Sequence, residues 1–287
     1  MVVQTAQPFQ YHVPWKSSSL HLGGHRGNQR GLGFDYRGNL PLVDYPDARR
    51  IDIRQTLRDP YEQVQVRLFN QDNITPLFAV CDLSASMHYR GRRRKLDQAI
   101  HIAASVARSA SDAGDQFGLV GYDRQVVEDF SLPLGTPFHS VAELLTALGE
   151  RETLVPAGEG ILEVAQYLSQ SRALVFWISD FHMPLRLIEQ ALSMLSQHQV
   201  VPIVLWDEQE YLRLPRFGFG TLIDPETGQD RTVFFRDALR RQFIAAFEQR
   251  RHDLQDLFLR FDSPALFLHG EYHADALTHY FEKYFAS

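Results

Sequence analysis

The stretch that decides the fold is "FAVCDLSASM", residues 78–87, in which an apolar run stops at Asp82 and two serines follow at alternate positions. A short, uninterrupted apolar run is typical of a strand buried on both faces of a parallel sheet. In such sheets, ligands bind beyond the carboxyl ends of the strands. Asp82, Ser84 and Ser86 would place a carboxylate and two hydroxyls there, and these oxygen donors suit a hard cation such as Mg2+.

Apolar runs alternate with helical patterns from residue 74 onward. The runs "ITPLFAVCD", "ALVFWIS" and "VPIVLW" predict buried strands, and "RKLDQAIHIAASVARSASDAG" (94–114) predicts a helix because its apolar residues recur every three or four positions. "SVAELLTAL" and "GILEVAQYLSQ" predict short helices. Two strands that meet near Arg124 predict an antiparallel edge, and turn residues within 214–236 predict an inserted hairpin. The order predicts an α/β fold, a doubly wound and mostly parallel sheet, over residues 74–287.

The first 73 residues follow a different pattern. "SSSLHLGGHRGNQRGLGFDYRGNLP" (17–41) is rich in Gly, Ser, Arg and Asn without periodicity, which predicts loop or extended chain. "QVQVRLF" (63–69) alternates polar and apolar residues and predicts a strand with one wet face. We therefore expect an N-terminal irregular and β extension over residues 1–73.

Composition excludes several classes of protein. The net charge of −6 over 287 residues argues against a nucleic-acid binder, and the single cysteine excludes an intrachain disulfide. The start of the chain lacks a signal-peptide pattern, and the longest apolar runs are too short to insert in a membrane as helices. We therefore expect a soluble, cytoplasmic protein. Phosphate-loop, dinucleotide-binding and nucleophile-elbow motifs are missing, so we expect no enzyme.

A second carboxylate belongs to the same candidate site. Asp180 follows the buried strand "FWIS", and two neighbouring strands would direct Asp82 and Asp180 to one edge of the sheet. Helix capping by Asp82 or Ser84 is the alternative, but the next predicted helix begins about ten residues later. The spacing favours a metal or ligand site.

Two stretches resemble known families. "DLSASM" resembles the Asp-x-Ser-x-Ser motif of von Willebrand factor A domains, which hold a metal-ion-dependent adhesion site. "YPDARRIDIRQTLRDPYEQVQVRLFNQ" (45–71) resembles the Arg-x-Ile-Asp-Trp region of bacterial "domain of unknown function 58" proteins, with Ile53 in place of the usual Trp. "LIDPETGQ" is similar to the inserted hairpin of that family. The resemblance implies a von Willebrand factor A-like, metal-bearing interaction module that works with a MoxR-type AAA+ ATPase, as MxaS-like proteins do.

The resemblance also implies individual site residues. The family's metal ligands correspond to Asp82, Ser84, Ser86 and Asp180. The ion would be Mg2+, or else Mn2+ or Ca2+, and an acidic side chain of a partner would complete its coordination. Glu159 stands where the family has a Thr, so it is a tentative metal residue, and Thr153 lies six residues upstream.

The segment "YRGRRRK" (89–95) carries a cluster of basic residues between the serines and the predicted helix. Positive charge is unfavourable at a helix N-terminus, which argues for another role. We expect the cluster to lie on the rim of the metal face and to bind an acidic protein surface; a solvated surface loop is the alternative. Its members are Arg90, Arg92, Arg93, Arg94 and Lys95.

Three alternatives remain open from the sequence. His88 and His182 follow the two aspartates and could complete a transition-metal site. A hydrolase could use Asp82, Asp180 and Glu159 with a metal-bound water. A structural scaffold without metal is the third.

Overall fold

The structure is a computed structural model that describes residues 6–13, 15, 25–44, 48–152, 155, 158–207, 217–223 and 230–285. The chain divides into two compact units. The smaller unit contains Val13–Thr75 and Ala113–Asp115, and the larger contains the remainder, including the described residues that precede Val13.

The smaller unit is built on a pair of long strands. These are β1 (His25–Pro41) and β2 (Gln65–Asn73), with the short helix α1 (Ile53–Thr56) between them in sequence. The two strands pair antiparallel with several register shifts. The strand over "QVQVRLF" is thus confirmed, and of the loop or extended chain expected over 17–41 the part from His25 to Pro41 is extended, as β1. Backbone pairing with β2 replaces the side-chain periodicity that the sequence lacks there.

The larger unit contains the alternating part of the chain. Its strands are β3 (Pro76–Asp82), β4 (Gln116–Tyr122), β5 (Val126–Leu132), β6 (Leu174–Ser179), β7 (Gln199–Leu205), β8 (Gly218–Ile223), β9 (Asp230–Phe235) and β10 (Leu266–Leu268). Its helices are α2 (Lys95–Ala113), α3 (Phe138–Gly149), α4 (Leu185–Met194), α5 (Asp237–Arg260) and α6 (Ala274–Phe285).

Six strands form one sheet in the order β10-β7-β6-β3-β4-β5. All neighbouring pairs are parallel except β4 and β5, which are antiparallel. The predicted fold class, a doubly wound and mostly parallel sheet with one antiparallel edge, is confirmed. The chain leaves β3 toward β4 on one side and later returns as β6 on the other. The switch in strand order therefore lies between β3 and β6, where ligands bind in folds of this class.

The central strands are apolar because both of their faces are covered. Every residue of β6 and β7 is buried, as are the last six residues of β3. A buried polar contact crosses this core: the indole N–H of Trp177 in β6 donates to the hydroxyl of Tyr122 in β4 over 2.7 Å. A satisfied hydrogen bond at this depth fixes the relative positions of the strands that carry the site.

The start of the chain contributes to the core of the larger unit. The ring of Phe9 stacks on Phe281 at 6.1 Å and meets Phe176 edge-on at 5.8 Å. Its backbone N–H donates to the hydroxyl of Ser109 over 2.8 Å. This segment was expected to belong to the extension over 1–73, and no periodicity in its sequence indicated that it packs elsewhere.

The short helix expected over "GILEVAQYLSQ" is replaced by two 3-10 turns, Glu159–Leu162 and Val164–Gln166. Gly160 explains the difference. Its N–H donates to the carbonyl of Asp123, and a Cβ there would lie 2.6 Å from the backbone of Gln125. The segment thus follows the β4–β5 turn, because tertiary contact outweighs helix propensity.

The predicted hairpin over 214–236 is confirmed by the antiparallel pairing of β8 with β9. The turn residues from which it was predicted lie outside the described residues. Among the described helices, none has the length and apolar character needed to cross a membrane.

Candidate functional site

A buried aspartate lies at the carboxyl end of each of four parallel strands. The four are Asp82, Asp123, Asp180 and Asp207, and each is at most 6% exposed. Asp82 ends β3, and the others follow β4, β6 and β7. Because β3 pairs directly with β6, the expectation that Asp82 and Asp180 follow adjacent strands is confirmed. Sequence reasoning missed Asp123 and Asp207, although both follow apolar strands as the other two do.

The loop after β3 folds back on its own aspartate. The backbone N–H of Ser84 donates to Asp82 Oδ1 over 2.9 Å, and the hydroxyls of Ser84 and Ser86 lie 3.3 Å apart. An aspartate that accepts from the backbone two residues on is a common local turn. From β6, the Ser179 hydroxyl donates to Asp82 Oδ2 over 2.6 Å. Asp82, Ser84 and Ser86 are thus brought together as predicted, whereas the contact of Ser179 was not foreseen.

Two of the four aspartates are paired with a cationic side chain, and a third, Asp207, accepts a hydrogen bond from a backbone N–H. The donors are Lys95 Nζ to Asp180 (2.8 Å), Arg151 Nη2 to Asp123 (2.6 Å) and the backbone N–H of Arg92 to Asp207 (2.7 Å). Asp82 differs from the two paired aspartates, because its partners among the described residues are all neutral: the N–H and hydroxyl of Ser84 and the hydroxyl of Ser179. Asp82 is therefore a buried carboxylate without a cationic partner in the described part of the chain.

The pKa values of Asp82 and Asp180 are shifted in opposite directions. Burial and, after it, the nearby charge of Asp180 raise the pKa of Asp82 to about 7, against the hydrogen bonds from Ser179 and Ser84, which lower it. Burial would also raise the pKa of Asp180, but the ammonium of Lys95 and the neighbouring His182 outweigh burial and lower it. Strongly shifted carboxylates are concentrated at functional sites, and here the unpaired Asp82 would gain most from a cation.

The basic segment is only partly on the surface. Arg90, Arg92 and Arg93 are exposed, as expected, and Arg93 forms an ion pair with Glu271 at 2.5 Å. The expectation of an exposed rim is wrong for the last two members, whose exposures are 9% for Arg94 and 2% for Lys95.

Each of the two buried cations has a fixed position. Arg94 donates to Asp97 over 2.6 Å and to the carbonyl of Gly149 at the end of α3 over 2.5 Å. Carbonyls at a helix C-terminus attract cations, which accounts for its burial. Lys95 is the partner of Asp180 and belongs to the candidate site itself.

Glu159 does not share the burial of the cluster. It is exposed at the start of its 3-10 turn, whereas Asp82, Ser84 and Asp180 are at most 3% exposed. The structure thus does not bring Glu159 into the buried cluster, neither as the tentative metal residue nor as the base of the hydrolase alternative. Thr153, the other candidate for the family's Thr, lies outside the described residues.

The transition-metal alternative receives no support from geometry. Within the part of the chain that the structure describes, no group of three or more His, Cys, Asp and Glu side chains is arranged to hold a metal ion. The exposed ring of His182 stacks on Trp206 at 6.0 Å. Among the described residues, the neutral oxygens beside Asp82 are the hydroxyls of Ser84 and Ser179, and the hydroxyl of Ser86 lies next to that of Ser84.

The chemistry of the donor set fits a hard divalent cation at three residues. Asp82 accepts hydrogen bonds at both carboxylate oxygens, and an ionised carboxylate has about four acceptor positions in all. The 3.3 Å between the hydroxyls of Ser84 and Ser86 is close to the roughly 3 Å that separates neighbouring oxygens around Mg2+. Asp180 does not fit equally, because Lys95 already occupies one of its oxygens.

Fold and site together define a doubly wound α/β protein with a buried aspartate and serine cluster at the switch point of its sheet. The sequence matches the family described as "Protein of unknown function DUF58" over residues 45–253, well over half of the chain. The chain belongs to this family, which confirms the predicted resemblance. No curated protein matches the sequence.

Several solved structures resemble the fold. An aerotolerance-related membrane protein from Bacteroides fragilis is 11% identical, with 74% of this chain and 98% of that chain covered and a TM-score of 0.43. The conserved hypothetical protein BatB from Bacteroides thetaiotaomicron is 14% identical, with coverages of 75% and 100% and a TM-score of 0.42. The SpRpn10 VWA domain is 12% identical, with coverages of 46% and 76% and a TM-score of 0.32. At such low identities the likeness concerns only the outline of the fold.

Proposed function

We propose that the chain is a protein-interaction module whose binding face is the carboxyl edge of the six-stranded sheet, and that a divalent ion at Asp82 modulates the binding. One observation carries the proposal: Asp82 is 1% exposed and, among the described residues, accepts hydrogen bonds only from neutral groups. An uncompensated buried carboxylate is costly, so its presence at the carboxyl edge of the sheet argues for a cation that binds there.

Each residue of the cluster has a separate role in this proposal. Asp82 supplies the negative charge, and Ser84 and Ser86 supply neutral oxygen donors. Ser179 orients the carboxylate of Asp82 through its 2.6 Å hydrogen bond. When bound, Mg2+ or Mn2+ would supply a Lewis-acidic position for an acidic side chain of a partner.

The partner in this proposal is a MoxR-type AAA+ ATPase, and this choice rests on the family resemblance. The proposed location is the cytoplasm, where ATP is available to such a partner. We propose a binding and not a catalytic role, because the exposed Glu159 lies outside the buried cluster and Lys95 already holds Asp180. Three exposed arginines in the loop after the cluster, Arg90, Arg92 and Arg93, favour an acidic partner surface.

Reversing Arg92 and Arg93 to Glu is expected to slow association with the ATPase by about severalfold at low salt, since exposed charges mainly raise the rate of encounter. The effect should shrink near physiological ionic strength, where the Debye length is about 8 Å. Stopped-flow or surface kinetics at two salt concentrations measures it. The control reverses Arg108 and Arg172, which are exposed elsewhere on the larger unit. Equal association rates for the two double variants would mean that the loop of Arg92 and Arg93 is solvated surface with no role in binding.

The proposed function is tested with purified chain and the ATPase of the same organism. Wild type should bind the ATPase in Mg2+ and bind at least about tenfold more weakly in chelator, as loss of a partner carboxylate's contact with the ion predicts. Asp82→Asn should bind equally weakly in both buffers. Asp256→Asn, the same chemical change at an exposed position of α5, should behave as wild type. Tight binding by Asp82→Asn in Mg2+ would overturn the metal-modulated role.

A further inference from the structure

Lys95 and Asp180 form an ion pair, and this pair is the most deeply buried one among the described residues. Lys95 Nζ lies 2.8 Å from Asp180 Oδ2, and both side chains are 2% exposed. The second oxygen, Asp180 Oδ1, accepts the backbone N–H of His182 over 3.3 Å. The carboxylate next to Asp82 is thus engaged at both oxygens by groups of this chain.

The position of Lys95 along the chain is unfavourable for the helix it begins. Lys95 is the first residue of α2, where the helix dipole repels a cation and an acidic residue is preferred. Burial of an ammonium adds a further cost unless it is paired. Helix stability therefore does not account for a lysine here, and the contact with Asp180 does.

We infer that Lys95 is the resident counter-ion of Asp180, and that it keeps this carboxylate from binding the divalent ion held by Asp82, Ser84 and Ser86. The inference rests on the proposed function and deepens it. Ionised Asp82 and Asp180 together with the ammonium of Lys95 carry a net charge of −1. A bound divalent ion therefore gives the site a net charge of +1. Without Lys95 the loaded site would be neutral. Lys95 thus weakens ion binding but leaves the loaded site attractive to a partner's carboxylate.

The test is calorimetric titration of Mn2+ into the full chain. Lys95→Met should bind Mn2+ at least about tenfold more tightly than wild type, because the positive charge that Lys95 places on the neighbouring Asp180 is removed. Lys95→Met/Asp180→Asn should bind within about threefold of wild type, because the net charge is restored and Asp180 is not a ligand. Lys283→Met, at an exposed lysine of α6, is the control and should match wild type.

Equal affinities for wild type and Lys95→Met would overturn the inference, as would loss of binding in the double variant, which would make Asp180 a ligand. If Lys95→Met does not fold, the double variant decides, since it leaves neither charge unpaired. A third outcome is that Lys95→Met binds Mn2+ but wild type does not. This result would overturn the proposed function and support the role of Lys95. Thermal unfolding of each variant establishes that it is folded.

Discussion

Asp82→Asn is expected to stabilise the ion-free protein by about 2–4 kcal/mol at about pH 8 while it abolishes divalent-ion binding. The substitution removes a buried charge that, among the described residues, only neutral groups contact. The asparagine can still accept the N–H of Ser84. A residue that lowers the stability of the ion-free protein is expected at a binding site and not in a structural core. Urea unfolding in chelator measures the difference in unfolding free energy between wild type and Asp82→Asn. A variant less stable than wild type would contradict the prediction.

The pH dependence of this gain has a definite sign. The folded-state pKa of Asp82 is raised to about 7 from 3.8. Such a group favours the folded state only when protonated, so wild type loses stability as the pH rises from about 4 to about 7. Asp82→Asn does not share the loss. The difference between the two unfolding free energies should therefore be near zero at about pH 4 and reach a plateau above pH 7.

Lys95→Met is expected to lower the free energy of unfolding by about 3–5 kcal/mol at neutral pH. It leaves the carboxylate of Asp180, which is 1% exposed, without its ammonium partner. Lys95→Met/Asp180→Asn should recover most of the loss, since both charges of the pair are then absent. Lys283→Met removes an exposed lysine and should change stability by no more than about 0.5 kcal/mol.

Chemical unfolding of these variants together with Asp180→Asn completes a double-mutant cycle. The cycle should give a coupling energy of more than about 2 kcal/mol between Lys95 and Asp180, as expected for a fully buried pair. A coupling below about 0.5 kcal/mol would mean that the ion pair contributes no more than an exposed one.

The parallel sheet could be predicted because its strands are buried on both faces, which leaves uninterrupted apolar runs such as "ALVFWIS". The strand β1 could not be predicted in the same way. Its Gly- and Arg-rich sequence lacks alternation, and its pairing with β2 is through the backbone with shifts of register. The 3-10 turns after Gly158 were missed for a related reason, since a contact between Gly160 and Gln125 decides their path.

The aspartate and serine loop of the candidate site could be predicted because its residues are consecutive and follow one strand. The contacts that distinguish Asp82 from Asp123 and Asp180 could not. Lys95 and Arg151 reach their partners, Asp180 and Asp123, across 85 and 28 positions of sequence. Lys95 appeared as one of five neighbouring basic residues, and only its burial in the fold separates it from Arg92 and Arg93.

The most direct test of the central claim, that Asp82 is a buried carboxylate with a cation-binding role, is urea unfolding of wild type and Asp82→Asn in excess Mg2+ and in chelator. Mg2+ should raise the unfolding midpoint of wild type, because an ion that binds only the folded state stabilises it by mass action. It should leave the midpoint of Asp82→Asn unchanged, so that the advantage of the variant in chelator narrows or reverses. An equal response of the two proteins, or no response of wild type, would contradict the claim, and the second result would favour a scaffold that uses no metal.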